Sequence, residues 1–227
     1  MPITTCIFDA YGTLLDVASA ARLAAAEPGH ERLAECWPRI AQNWRLKQLN
    51  YTWLRTVMDD HADFWTLTGD ALDWALEAEG IEDNALRERL MALYRELGAF
   101  PEVRDVLGRL KKAGLNTAIL SNGTPDMLEA ATRSAGIRAD LDDILSVEMC
   151  GIYKPARAVY DMVGRRFACA PGEVLFVSSN GWDAAAAAAY GFEVAWANRA
   201  GEPVERLPGR PAHILSDLSG IPALAGA

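Results

Sequence analysis

The chain has 227 residues and a mass of 24.7 kDa, enough for one large domain or two small ones around a substantial core. Apolar residues make up 51% and charged residues 23%, the balance of an ordinary soluble globular protein. A net charge of -9 and a pI near 4.9 argue against nucleic acid and anionic membrane surfaces as partners.

Any anionic ligand must therefore be met by a few local cations. Lysine is scarce, confined to Lys47, Lys111, Lys112 and Lys154. Cys6, Cys36, Cys150 and Cys169 lie far apart, with no C-x-x-C pair and no grouped histidine. That spacing predicts neither a zinc site nor a disulfide framework but free thiols in a reducing compartment. The first strand begins almost at residue 1, which leaves no room for a signal peptide. The longest apolar run, Ala184 to Tyr190, falls far short of the roughly 18 residues of a membrane span. A cytoplasmic location is expected.

Ile3 to Phe8 is a short apolar run with β-branched residues, suited to a buried strand, and it ends at a carboxylate, Asp9. Gly12 permits a tight turn and Thr13 adds a hydroxyl beside it. The pattern then turns helical. Glu31 to Asp59 carries Trp37, Ile40, Ala41 and Trp44, then Leu49, Trp53, Leu54 and Val57. Thr68 is a candidate cap for a helix over Gly69 to Glu79, and Asp83 for one bearing Leu86, Leu90, Leu93 and Leu97, ended by Gly98. No strand is convincing between Ala18 and Gly98. A helical cap over 16–98, inserted into a core of 1–15 and 99–227, is the expected organisation.

Beyond Gly98 strands and helices alternate. Pro101 to Ala113 reads as a helix, Asn116 to Leu120 as a strand, Pro125 to Ala135 as a helix and Ile144 to Val147 as a short strand. Tyr153-Lys154-Pro155 leads into a helix to Phe167. Val174 to Val177 is the most strand-like run in the chain, followed by Ser178-Ser179-Asn180-Gly181-Trp182-Asp183. The alanine run has helical propensity, and Phe192 to Trp196 and Ala212 to Leu215 close as strands. Such alternation implies an α/β fold, with a Rossmann-like parallel sheet covered on both faces.

A parallel sheet gathers its carboxyl-terminal strand ends on one rim, where ligands bind. That rim would bring together Asp9 and Thr13, Ser121 and Asn122, Lys154, and Ser178, Ser179, Asn180 and Asp183. Singly, each has an ordinary explanation as a turn former, a helix cap or a solvated lysine. Jointly, two carboxylates and an ammonium make a nucleophile-and-base set, since an oriented cation can hold a carboxylate ionised. A serine hydrolase is disfavoured: there is no G-x-S-x-G, and His30, His61 and His213 have no evident partner in the sequence.

Asp9-Ala-Tyr-Gly-Thr13, Ser121-Asn122 after a strand, Lys154-Pro155 and the acidic loop ending at Asp183 resemble the four motifs of the haloacid dehalogenase superfamily. The segments from Trp44 to Arg55, Ile119 to Gly123 and Leu175 to Asp183 resemble, more narrowly, the L-2-haloacid dehalogenases. The resemblance runs from Ile3 to about Arg199. Phosphoryl transfer is the rival chemistry within that superfamily. It needs a second aspartate two residues after the nucleophile and another that binds magnesium. Here Tyr11 holds the first place and Ser178-Ser179 the second, so anionic oxygen is missing where a hard cation would sit.

The resemblance implies hydrolysis of short-chain L-2-haloalkanoates to D-2-hydroxy acids and halide, through an ester on Asp9 and without metal or organic cofactor. It implies that Arg45 receives the halide with Asn122 nearby, and that Ser121 and the Asn122 backbone bind the substrate carboxylate beside Lys154. Thr13, Ser178 and Tyr160 would hold Asp9, Lys154 and bound groups in place. Asp183, helped by Asn180, would direct water. Tyr11, Leu49, Phe64 and Trp182 are candidates for an apolar wall, although core packing explains Leu49 and Phe64 as well. Arg45 borders the stripe Trp37-Ile40-Trp44, where a solvated arginine is the default reading and the flanking match favours a functional one. Leu46 stands where several relatives carry glutamine, so the pocket's polarity departs from theirs. A homodimer is also implied.

Overall fold

The computed structural model describes residues 1–29 and 31–227; His30 lies outside the described residues. Six parallel strands form one sheet in the order β3-β2-β1-β4-β5-β6: β1 Thr5–Phe8, β2 Asn116–Ser121, β3 Asp143–Ser146, β4 Val174–Ser178, β5 Glu193–Ala197 and β6 His213–Leu215. The central strands are buried throughout, as a sheet covered by helices on both faces requires. Around it lie α5 Val103–Lys112, α6 Pro125–Ser134, α7 Arg157–Phe167, α8 Gly181–Tyr190 and α9 Ile221–Ala225.

Phe8 pairs with Ile119 on one side and Val177 on the other. The chain order reverses at β1, because the connection from β1 runs to β2 and β3 while β4 lies on its opposite side. The gap outside that reversal is the natural ligand crevice of an open α/β sheet. Asp9, one residue past β1, stands at its mouth.

Between β1 and α5 the chain makes four helices, α1 Ala18–Ala25, α2 Glu31–Met58, α3 Phe64–Ala78 and α4 Asn84–Leu93. They bury Leu33, Cys36, Ile40 and Trp44 of α2 against Leu67, Ala71, Leu72 and Ala75 of α3. The two connections to the sheet pair with each other. Leu15 and Ala99 form an antiparallel bridge, Asp16 N donates to Gly98 O at 3.0 Å, and Phe100 N donates to Leu14 O at 3.0 Å.

Several element ends differ from the sequence expectation. α3 begins four residues before Thr68, capped by Asp63, whose side chain accepts from Thr66 N. Thr68 lies inside the helix and its hydroxyl donates to Phe64 O at 2.6 Å. Asp83 does cap α4, accepting from Leu86 N. That helix stops at Leu93, however, and Leu97 is buried from the following turn. Asp183 sits in the first turn of α8 rather than in the loop before it. The short helices α1 and α9 carry no strong sequence pattern. Among the described residues no helix is long and apolar enough to cross a membrane.

Candidate active site

Asp9 is 7% exposed, and its carboxylate is held from three directions. Oδ2 accepts from Asn180 Nδ2 at 3.0 Å and lies 3.0 Å from Thr13 Oγ1; Oδ1 accepts from Lys154 Nζ at 3.2 Å. Thr13 Oγ1 is also 3.1 Å from Ser179 Oγ. Its single proton is directed to the carboxylate, the stronger, charge-assisted acceptor. The same hydroxyl oxygen accepts from Ser179 N at 2.8 Å, which ties the turn after β1 to the loop after β4. Gly12 makes that approach possible. It has φ +87°, and a Cβ there would meet Ser179 Oγ at 3.0 Å.

Lys154 is 1% exposed. Its ammonium also donates to Asp183 Oδ2 at 2.8 Å, so one cation bridges two carboxylates. Burial pulls the lysine toward neutrality, but Asp183 and Asp9 outweigh it and hold it charged above the usual lysine range. Burial raises the Asp183 carboxyl, Lys154 opposes the rise, and the charge on Asp9 adds to it. Tyr160, expected at the substrate, lies behind Asp183 and donates to its Oδ1 at 2.8 Å.

The other strand ends are equally well tied. Ser178 Oγ accepts from Asn180 N at 3.1 Å, and Trp196 Nε1 donates to Ser179 O at 3.1 Å. Ser121 Oγ accepts from Gly123 N at 3.2 Å, while Asn122 Oδ1 accepts from Lys154 N at 3.1 Å. A side chain on Gly123 would strike the Tyr11 ring at 2.8 Å, so this glycine lets Tyr11 pack against the β2 loop.

Arg45 approaches from α2. Its Nη2 donates to Asn180 Oδ1 at 3.2 Å and its Nη1 to Gln48 Oε1 at 2.9 Å. The same Asn180 amide thus joins the guanidinium to Asp9. Arg45, Tyr11, Gln48 and Asn180 border a cavity of about 450 Å³, walled further by Trp37, Trp44, Tyr94 and Phe100 and by the polar Asp16 and Gln42.

A family model described as haloacid dehalogenase-like hydrolase matches residues 3–191. The chain is 45% identical over 224 residues to (S)-2-haloacid dehalogenase 1 of a Pseudomonas species, covering 98% of this chain and 96% of that protein. The (S)-2-haloacid dehalogenase 4A of Burkholderia cepacia is 44% identical, over 89% of this chain and 86% of its own. The chain belongs to the haloacid dehalogenase-like hydrolases. The L-2-haloacid dehalogenase of Xanthobacter autotrophicus, solved with chloropropionic acid covalently bound, superposes with a TM-score of 0.89 at 34% identity, over 99% of both chains.

The apolar wall expected for this dehalogenase-like hydrolase is only partly assembled beside Arg45. Tyr11 is 2% exposed, with Phe64 stacked on it at 6.0 Å and Tyr94 tilted against it at 5.3 Å. Its hydroxyl is buried without a hydrogen-bond partner among the described residues, and burial pushes its pKa well above the usual phenol range, so it stays protonated. Leu49 is half-buried on α2 and does not border the cavity. Trp182 turns away to an outer groove of about 540 Å³, where it meets Trp53 edge-on at 5.4 Å.

Sequence reading gave no role to Gln48, Tyr94 and Gly123, which surround the named residues, and placed Ser179 on the rim without a role in binding Thr13. Gln48 was detectable in principle, as a polar residue one turn after Trp44 on a buried stripe. His61 and His213 also gain partners the sequence did not reveal: His61 pairs with Glu148 and His213 with Glu193, each at 2.9 Å.

Proposed function

We propose that this protein is an (S)-2-haloacid dehalogenase, converting short L-2-haloalkanoates and water to D-2-hydroxy acids and halide. The observation that carries the reading is the setting of Asp9. Three donors converge on its carboxylate, and a neutral phenol, Tyr11, stands two residues on. A halide leaves without being protonated, so a nucleophilic carboxylate with no neighbouring acid suits attack on carbon. Phosphoryl transfer is not supported: Tyr11 and Ser179 supply no acid and no anionic oxygen, and an ammonium bridges the two carboxylates. The curated relatives bear the dehalogenase name.

In the first step an Asp9 oxygen forms a bond to C2 as the carbon-halogen bond breaks. The bonding pair leaves on the halide, and C2 inverts. Arg45 receives the halide, with Asn122 nearby. The substrate carboxylate is taken by Ser121 and the Asn122 backbone, in the positive field of Lys154. In the second step water adds to the Asp9 carbonyl carbon while Asp183, with Asn180, takes its proton. The ester oxygen departs with a proton as the product hydroxyl, and Asp9 is restored. Thr13 and Ser178 hold the loops in register, and Tyr160 holds Asp183. Phe64 supports the pocket from the helical side by stacking on Tyr11.

The helices of 16–98 act as a cap on a core of 1–15 and 99–227, a division supported by the paired connections at Leu15 and Ala99. The protein works as a cytoplasmic homodimer, for which the groove of Trp53, Trp182 and Tyr190, beside exposed Leu54 and Val57, offers an apolar face. Sedimentation is expected to give twice the chain mass.

The reading is tested by halide release from L-2-chloropropionate with the D enantiomer as control. In a single turnover in oxygen-18 water, label should enter Asp9 before it appears in product. Label found in product alone would replace the ester with direct attack by water.

A further inference from the structure

Behind Arg45 lies a hydrogen-bond junction that the proposed reaction does not itself require. Gln48 is fully buried on α2, and its amide joins three elements. Nε2 donates to Thr68 Oγ1 of α3 at 2.7 Å; Oε1 accepts from Arg45 Nη1 at 2.9 Å and from Tyr94 OH, just past α4, at 3.2 Å. Trp44 Nε1 donates to Thr68 O at 2.8 Å, pinning α2 to α3 at the same level.

The direction of that amide is forced. A hydroxyl has one proton, and Thr68 gives its own to Phe64 O at 2.6 Å. Toward Gln48 it can only accept, so the NH2 must face Thr68 and the carbonyl oxygen must face Arg45. A flipped amide would set its oxygen against the Thr68 hydroxyl oxygen, whose proton is already given to Phe64 O, and turn an NH2 on the guanidinium, leaving buried groups unpaired. The chain of contacts then runs Thr68, Gln48, Arg45, Asn180, Asp9.

We infer that Gln48 is a positioning residue for dehalogenation. Oriented by Thr68 and Tyr94, its neutral carbonyl oxygen fixes the Arg45 guanidinium opposite Asp9 without cancelling its charge. Glutamine suits this place better than glutamate. A carboxylate would point Arg45 equally well but would neutralise the cation that must accept an anion. Methionine would leave charge intact and direction lost. The inference rests on the proposed role of Arg45 as halide acceptor.

The test is single-turnover halide release from 2-chloro-, 2-bromo- and 2-iodopropionate, with concentrations set by active-site titration. A charge-assisted contact is worth most for the most compact halide. Q48M should therefore slow chloride release about 10- to 100-fold, the scale of a misplaced catalytic group, and iodide release much less. KM should change little. Q48E should fold and show the same graded loss, because it keeps the contact but not the net charge. In an R45M background, Q48M should cost nothing further, since coupling through a shared partner is non-additive. Equal loss for all three halides, or an additive double variant, would overturn the inference. T68V, which touches neither Arg45 nor Asp9, provides the same graded readout if Q48M does not fold. Graded loss in R45M without any in the Gln48 variants rejects only the role of Gln48. Absence of grading in R45M itself rejects the halide-acceptor reading beneath it.

Discussion

Asp9 and Arg45 are joined through the Asn180 amide but reach it by different means. Asp9 leaves a buried central strand, its backbone N donates to Val177 O at 2.9 Å, and its carboxylate meets Thr13 just past β1, Asn180 just past β4 and Lys154 ahead of α7. Arg45 stands mid-way along a 28-residue helix, at the end of a long side chain steered by two amides, Gln48 and Asn180. The sheet thus places its chemistry by register, which a side-chain substitution barely moves. The helices place theirs by rotamers, which depend on packing among α2, α3 and the turn after α4. The difference predicts that variants on the sheet side abolish chemistry and spare the fold, whereas variants on the helical side grade the rate by leaving group.

The sharpest break is D9N. Loss of the covalent nucleophile is expected to cost at least about 10⁴-fold in halide release with thermal stability little changed, and a variant within tenfold of the parent would overturn the assignment. D183N should separate the two steps instead. One equivalent of halide should be released per site and turnover should then stop, with the ester mass remaining on the peptide that carries Asp9; continued turnover would remove Asp183 from the hydrolytic step.

The pH dependence follows from the same carboxylate. Burial foremost raises the Asp183 pKa, and the further rise from the charged Asp9 is absent while Asp9 is esterified. Ester hydrolysis needs this group ionised, so it should persist above the raised pKa and be lost as pH falls through it. The acid limb of ester breakdown is therefore expected above the ordinary aspartate value of about 3.9, and distinct from the limb of halide release. Coincident limbs would show that Asp183 does not govern the second step.

On the helical side R45M is expected to cost roughly 10²- to 10³-fold for chloride, the usual scale for one electrostatic donor, and less for iodide. Smallest of all, Y11F should leave turnover within about threefold. The Tyr11 hydroxyl has no hydrogen-bond partner among the described residues, and removing an unpaired buried hydroxyl carries little penalty. A large loss would mean that this hydroxyl meets the substrate.

The contrast also explains what could be read from the chain alone. Short apolar runs ending in Asp9, Ser121 and Ser178 announce strands whose polar tails share a rim, and the geometry of a parallel sheet does the rest. Arg45 was readable only because its neighbours resemble a known segment. Tyr94 was not readable, and Gln48 only as a polar residue on a buried stripe, because their importance comes from α3 and the turn after α4 meeting α2, which no local pattern encodes. Asp63 and Thr68 illustrate the same limit. Either could cap a helix by residue type, and the choice is made by tertiary burial, which drives Thr68 inside. His61 and His213 looked unpartnered since Glu148 and Glu193 lie 87 and 20 residues away.

Lys154, shared by Asp9 and Asp183, makes the site a balance with one weight and two pans. Once Asp9 is esterified its negative charge is gone, and the whole ammonium falls to Asp183. The repulsion that Asp9 exerted on Asp183 ends at the same moment, so the second carboxylate becomes easier to ionise just when water must be deprotonated. Hydrolysis restores Asp9, and with it the earlier division. In the proposed reaction each chemical step thereby prepares the protonation state the next one needs.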